Sequence, residues 1–230
     1  NRFKSLGYAL RNYCARKVWK LQENMDAYIV QSNFQKNKFI ENGIQSDKLF
    51  VIPGLTPALK IKDTNELGNY ISFIGRASVE KGIVEFLEVA KELSTIKFAV
   101  VGALDPTLES LKKKSPSNVH WTGFLSGKEY DMFYQKSKIV VVPSKWYEGF
   151  PNVITRAMQH GKPVITCNIG AMQSIIDHNV NGLLVEPGNS TQLKNAVEKL
   201  YNNNELCKKM GASGKVKATN KYNDTIIYNE

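Results

Sequence analysis

Cysteine is scarce in this chain: Cys14, Cys167 and Cys207 are the only 3 in 230 residues, and no two form a Cys-x-x-Cys pair. An odd, scattered set encodes neither a disulfide framework nor a zinc site, and it fits a reducing cytoplasm. Histidine is equally thin. His120, His160 and His178 stand singly, and no Asp-x-Asp triplet is present to hold a metal-bound diphosphate. Long apolar runs are absent too: the longest, such as Phe98–Leu104 and Ile139–Pro143, fall far short of the roughly 20 residues that a membrane-spanning helix needs. With 16 glycines and 8 prolines the chain is neither collagenous nor low in complexity. The start, Asn1-Arg2-Phe3-Lys4, has no Met and no apolar signal core, and it reads as the interior of a longer protein.

What is present is an ordinary globular composition, 42% apolar and 23% charged, with a positive excess of 10. That balance suits anionic partners. Residues 1–48 hold nine basic and four acidic side chains, so about half the excess lies in the first fifth. This segment reads either as a solvated basic helix face or as a surface for phosphates or a membrane. No RNP-like aromatic motif, zinc-finger spacing or basic recognition helix accompanies the charge, so no nucleic-acid partner is expected.

Leu6, Leu10, Tyr13, Cys14, Val18 and Leu21 recur at helical spacing, predicting one amphipathic helix over residues 4–23. A strand at 27–30, a helix from Phe34 to Glu41 behind Ser32-Asn33, and a strand at Leu49–Ile52 follow. Residues 1–54 thus form one small unit, 55–68 read as a linker without period, and 69–230 form the larger unit with a C-terminal helix. In that unit strands are expected at Tyr70–Ile74, Lys97–Val101, Val119–Trp121, Ile139–Val142, Val164–Thr166 and Gly182–Val185, with helices between them. Short apolar strands alternating with helices of about 10 residues describe an α/β fold, a doubly wound parallel sheet covered on both faces.

In open parallel sheets ligands sit beyond the carboxyl ends of the strands. After the first strand of the larger unit comes Gly75-Arg76-Ala77-Ser78-Val79-Glu80-Lys81-Gly82, two fixed cations ahead of a helix, suited to a diphosphate. Taken alone, the pair is also compatible with a solvated basic loop. After the strand at 139–142 comes Pro143-Ser144-Lys145-Trp146-Tyr147-Glu148-Gly149-Phe150-Pro151-Asn152. Here one carboxylate stands beside a helix start whose amides lack intrahelical partners. Cys167-Asn168-Ile169-Gly170-Ala171 is a small-residue turn that serves as a ligand approach or as a plain turn.

Together these loops resemble the C-terminal, donor-binding domain of group 1 (family 4) retaining glycosyltransferases of the GT-B fold, over about Tyr70 to Tyr222. The likeness rests on Phe73-Ile74-Gly75-Arg76 with Glu80-Lys81-Gly82, on His120-Trp121-Thr122-Gly123-Phe124, and on Trp146-Tyr147-Glu148-Gly149-Phe150-Pro151-Asn152-Val153-Ile154. It continues through Gly161-Lys162-Pro163-Val164-Ile165 and Asn181-Gly182-Leu183-Leu184-Val185. The resemblance implies a Rossmann-like lobe, with Tyr28–Gly54 looking like the remnant of an N-terminal, acceptor-side domain that is otherwise missing. It assigns Arg76 and Lys81 to the donor diphosphate and Glu148 to the transferred sugar, as the catalytic set. Gly75, Thr122, Gly123, Phe124, Leu125, Gly149, Phe150, Pro151 and Asn152 would flank the base and the phosphates.

The second acid of the family's Glu-x7-Glu motif falls on Arg156. A guanidinium cannot accept hydrogen bonds from ribose hydroxyls, so Arg156 is expected either to meet a phosphate or to mark a degenerate, non-catalytic nucleotide- or partner-binding module. The implied activity is transfer of a sugar from a UDP- or GDP-sugar to a glycan or lipid-linked acceptor with retention. No cofactor and no metal are expected, because two basic side chains take the metal's place. The setting would be the cytoplasm, at or near the inner face of the membrane, with peripheral contact through the basic N-terminal segment. The isolated chain is expected to be inactive or weakly active.

Overall fold

A computed structural model describes residues 2–18, 20–21, 24–57, 59 and 66–222. The chain divides into two compact units, 1–52 and 53–230. In the first, helix α1 (Arg2–Tyr13) passes into a π-helical turn, Cys14–Val18, so the single helix expected over 4–23 is interrupted at Tyr13, and residues 19, 22 and 23 lie outside the described residues. The apolar stripe that suggested it stays exposed at Leu6, Leu10 and Tyr13. Strands β1 (Tyr28–Val30) and β2 (Leu49–Val51) pair in parallel, Tyr28 opposite Leu49, around α2 (Asn33–Glu41). Ser32 caps α2 by accepting from the Gln35 amide at 3.3 Å, and Val30, Ile44 and Leu49 make the small core.

The second unit is a six-stranded parallel sheet of β3 (Tyr70–Ile74), β4 (Lys97–Val101), β5 (Val119–Gly123), β6 (Ser137–Val142), β7 (Val164–Cys167) and β8 (Gly182–Val185). Helices α3 (Ile83–Glu92), α4 (Glu109–Lys113), α5 (Gly127–Lys136), α6 (Asn152–Gln159), α7 (Met172–Ile175), α8 (Ser190–Tyr201) and α9 (Asn204–Lys221) connect and close it. The expected strands are all present. The order, β5-β4-β3-β6-β7-β8, runs outward from β3 to one edge and then returns to β6 and runs to the other. The direction of winding therefore reverses between β3 and β6, and the crevice beyond their carboxyl ends is where such a sheet holds a ligand.

Two boundaries differ from expectation for polar reasons. β6 begins at Ser137 rather than Ile139, because the buried Ser137 hydroxyl is satisfied by Ser72 Oγ at 2.7 Å and by the Phe133 carbonyl at 2.9 Å. The stretch expected to be linker from residue 55 begins as packed structure: Thr56 is buried, its hydroxyl lies 2.6 Å from Thr155 Oγ1, and its carbonyl accepts from Gln159 at 3.0 Å. Residues 53–57 therefore belong to the second unit, while 58 and 60–65 lie outside the described residues. α9 packs across α6 through glycine: a Cβ on Gly211 would stand 1.9 Å from the Gly161 carbonyl oxygen. Among the described residues no helix is long and apolar enough to cross a membrane.

Candidate functional site

The switch point is built from glycine outward. Gly75 follows β3 and Gly102 follows β4, both at φ 139°. A Cβ on Gly102 would lie 2.1 Å from the Gly75 carbonyl oxygen, so only glycine lets these strand ends converge. Beyond them opens a cavity of about 340 Å³ lined by Gly75, Arg76, Gly102, Phe124, Leu125 and Tyr130, among others. Its wall is mostly apolar, with the Phe124 ring exposed, which suits a flat heteroaromatic group.

The loop after β3 is laced to the loop after β6. Gly82, at φ 79°, lies so near the Pro143 carbonyl that a Cβ would stand 2.0 Å from its oxygen. The Lys145 amide donates to the Glu80 carbonyl at 2.8 Å. This lacing brings Lys81 and Glu148, 67 positions apart, into a direct ion pair. Ser144, fully buried at the end of β6, donates to the same Glu148 oxygen at 2.8 Å, so the carboxylate is held from behind as well. Arg76 reaches Glu80 at 2.9 Å in a more open pair, its own side chain 61% exposed. Lys145, on the same loop after β6, pairs with Glu85 of α3 at 2.7 Å, near Cys167, whose thiol burial pushes up to about 12.

Gly149, Phe150 and Pro151 lead into α6, whose first turn receives no side-chain cap, the Ile154 amide being met by the Pro151 carbonyl at 2.9 Å. Phe150 is fixed edge-on against Tyr222 with ring centroids 5.3 Å apart. The residue that follows α9 thus braces the turn, a contact that nothing in the local motif signals. Burial raises the Tyr222 hydroxyl to about 12.

Arg156 is placed differently from expectation. Its Nε and Nη2 donate to the two carboxylate oxygens of Asp131 on α5 at 2.8 and 2.6 Å, and Nη1 donates to the Pro57 carbonyl at 2.6 Å and to Gln159 at 3.1 Å. All three nitrogens are engaged within the protein, so the guanidinium is a clamp between α5, α6 and residue 57 rather than a free cation awaiting phosphate. With Asp131, Tyr130 and Asn152 it lines a separate cavity of about 300 Å³. Behind the clamp, His160 is stacked on Tyr134 with centroids 5.0 Å apart and faces Asp131 at 3.4 Å. Burial drives its pKa down to about 4, against the opposing pull of Asp131.

Of the residues singled out in the sequence, Gly75, Arg76, Phe124 and Leu125 share the first cavity, and Lys81 and Glu148 share one pair beside it. Asn152 and Arg156 share the second cavity, whereas the Thr122 hydroxyl turns back to the Gly123 carbonyl at 2.9 Å and Gly123, at φ 74°, shapes the turn. Tyr130 and Asp131 carry no motif and escaped notice. Tyr130 lines both cavities, and its place three residues after Gly127 at the start of α5 is the signal that could have found it. No group of three or more His, Cys, Asp or Glu side chains among the described residues is placed to hold a metal ion.

The sequence profile of the family described as "Glycosyl transferases group 1" matches residues 58–217. The chain belongs to this family. A relative in Klebsiella pneumoniae, an uncharacterized 42.6 kDa protein in the cps region, is 34% identical over 169 residues, covering 70% of this chain and 44% of that protein. The capsular polysaccharide biosynthesis glycosyltransferase CapM of Staphylococcus aureus is 27% identical, covering 95% of this chain and 60% of its own length. The crystal structure of Anabaena HepE in complex with UDP superposes with a TM-score of 0.78 at 18% identity, covering 89% of this chain and 62% of that one. The C-terminal domain of a group 1 family protein, LpcC, from Francisella tularensis superposes with a TM-score of 0.60 at 26% identity, covering 73% of this chain and 95% of that one. The chain spans about half the length of the curated relatives it matches. Its second unit is a Rossmann-like lobe of the GT-B architecture.

Proposed function

We propose that this chain is the donor-binding part of a retaining glycosyltransferase that moves a sugar from a nucleoside-diphosphate sugar to a glycan or lipid-linked acceptor. The observation that carries the reading is the Lys81–Glu148 ion pair that joins the loops after β3 and β6, with Arg76 on the first of those loops lining a cavity with an apolar wall. In this arrangement the base enters the cavity against Phe124 and Leu125, the diphosphate lies along Arg76 and Lys81, and the sugar faces Glu148.

As the anomeric C–O bond breaks, negative charge grows on the diphosphate and positive character on the sugar ring. Fixed cations beside the leaving group stabilise that charge most when solvent is displaced around them. Glu148, held by Ser144 and Lys81, accepts from sugar hydroxyls and sets the ring's orientation. The two basic side chains meet the diphosphate charge without a metal. UDP is favoured as the first ligand to try because HepE has been crystallised with UDP and with UDP-glucose. The capsular role printed for CapM favours a surface polysaccharide as the product class. The test is calorimetric titration with UDP, GDP and ADP, with and without EDTA. Binding of at least one of them, unchanged by the chelator, is expected; no binding of any, or binding that needs added magnesium or manganese, rejects the proposal or its metal-free part respectively.

A further inference from the structure

The two cations at the switch point are not equivalent. Arg76 is paired with Glu80 in an exposed contact, where solvent screens the interaction and rearrangement is easy. Lys81 is paired with a carboxylate that is itself anchored: the buried Ser144 hydroxyl donates to the same Glu148 oxygen at 2.8 Å, and the Glu148 side chain is only 16% exposed. Any diphosphate drawn to Lys81 therefore meets a fixed negative charge beside it.

This inference rests on the donor-site reading above and deepens it. A bare nucleoside diphosphate ends in a phosphate attached only through the anhydride bridge, whose last ionisation lies near pH 6, so at neutral pH that phosphate carries close to two charges. In the intact donor the same phosphate is also esterified to the sugar and carries one charge, and the attached sugar brings hydroxyl donors. A carboxylate repels the first more than the second, and only the second offers it hydrogen bonds in return. We infer that the Ser144-anchored carboxylate of Glu148 makes the site prefer the sugar-loaded nucleotide over the nucleoside diphosphate that remains after transfer, so that the same group that orients the sugar also favours release of the spent nucleotide.

The experiment compares dissociation constants of UDP and UDP-glucose, and of GDP and GDP-mannose, for the parent chain, Glu148→Gln and Ser144→Ala. The glutamine keeps the shape and an acceptor for Ser144 but removes the charge. For whichever base binds, Glu148→Gln is expected to tighten the bare diphosphate by roughly three- to tenfold, as a like charge near it is removed. The sugar nucleotide should be held no more tightly than before, so the preference ratio falls. Ser144→Ala, which frees the carboxylate to move, should lower the ratio by a smaller factor in the same direction. An unchanged ratio in Glu148→Gln, whether both ligands weaken together or neither moves, overturns the inference while leaving the donor site standing. Failure of the parent chain to bind either ligand of both pairs overturns the donor-site reading and this inference with it.

Discussion

Arg156 separates two kinds of charge in this protein. Its guanidinium is 16% exposed and spends its donors on Asp131, Pro57 and Gln159, so it stabilises the junction of α5 and α6. Replacing it with glutamate would set a carboxylate against the buried Asp131. Loss of about 3–5 kcal/mol of stability is expected, as for a broken buried pair, read as a fall in the urea midpoint. A variant that instead melted like the parent and bound nucleotide more tightly would return Arg156 to the donor site. Arg76 and Lys81 should behave oppositely: alanine at either is expected to leave the melting temperature nearly unchanged and to weaken diphosphate binding by about 1.5–3 kcal/mol, the range for hydrogen bonds to charged groups. His160 adds a pH dependence. Its folded pKa, near 4, lies below the ordinary 6.5, so the unfolded chain takes up the proton first and stability drains away as pH falls from about 6.5 to 4. His160→Phe, which keeps the ring stacked on Tyr134, should flatten the melting temperature across that window; an unaltered slope would assign it to other groups. The motif residues were legible because their spacing from strand ends is local. Asp131 was not, since its meaning depends on a contact across 25 positions between two helices.

At the level of elements, the strands were read well because each is a short apolar run buried on both faces, and burial of that kind leaves a continuous hydrophobic signature. Failures came where polar chemistry sets the boundary. Ser137 opens β6 because two buried partners satisfy its hydroxyl, and Thr56 joins the second unit through a hydroxyl pair with Thr155. Ser72 and Thr155 lie 65 and 99 positions from their partners, so neither contact is visible in the neighbouring sequence. α1 shows the opposite error: a regular apolar stripe promised one long packed helix, whereas the helix gives way to a π turn at Cys14 and its stripe remains exposed. Periodicity states that a face is apolar without saying what covers it. The crossing of α6 and α9 is the element contact most sensitive to a single methyl group. Gly211→Ala would drive a Cβ into the Gly161 carbonyl, and a loss of about 1–3 kcal/mol is expected from the forced separation, measured by chemical denaturation. Because α9 leads into Tyr222, which braces Phe150, the same variant should also weaken nucleotide binding modestly. Unchanged affinity would show that the brace tolerates the shift.

For the whole molecule, the division at Ile52 and Pro53 carries the final prediction. Every residue placed at the switch point, from Gly75 through Arg76, Lys81, Phe124 and Ser144 to Glu148, lies in the second unit, as do the packed residues Gly54 and Thr56. The two hydrophobic cores are separate clusters, with Val30, Ile44 and Leu49 in one and the sheet's residues in the other. A chain of residues 53–230 should therefore fold in a single cooperative transition and bind the nucleoside diphosphate within about a factor of two of the parent. The first unit contributes five of the ten excess positive charges, so its removal should act mainly through long-range attraction. Any loss of affinity is thus expected at low ionic strength and should vanish near 0.15 M salt, where the Debye length is about 8 Å. A loss above tenfold that persists at that salt concentration would mean that residues 1–52 touch the ligand directly, and the donor site would have to be redrawn to include them.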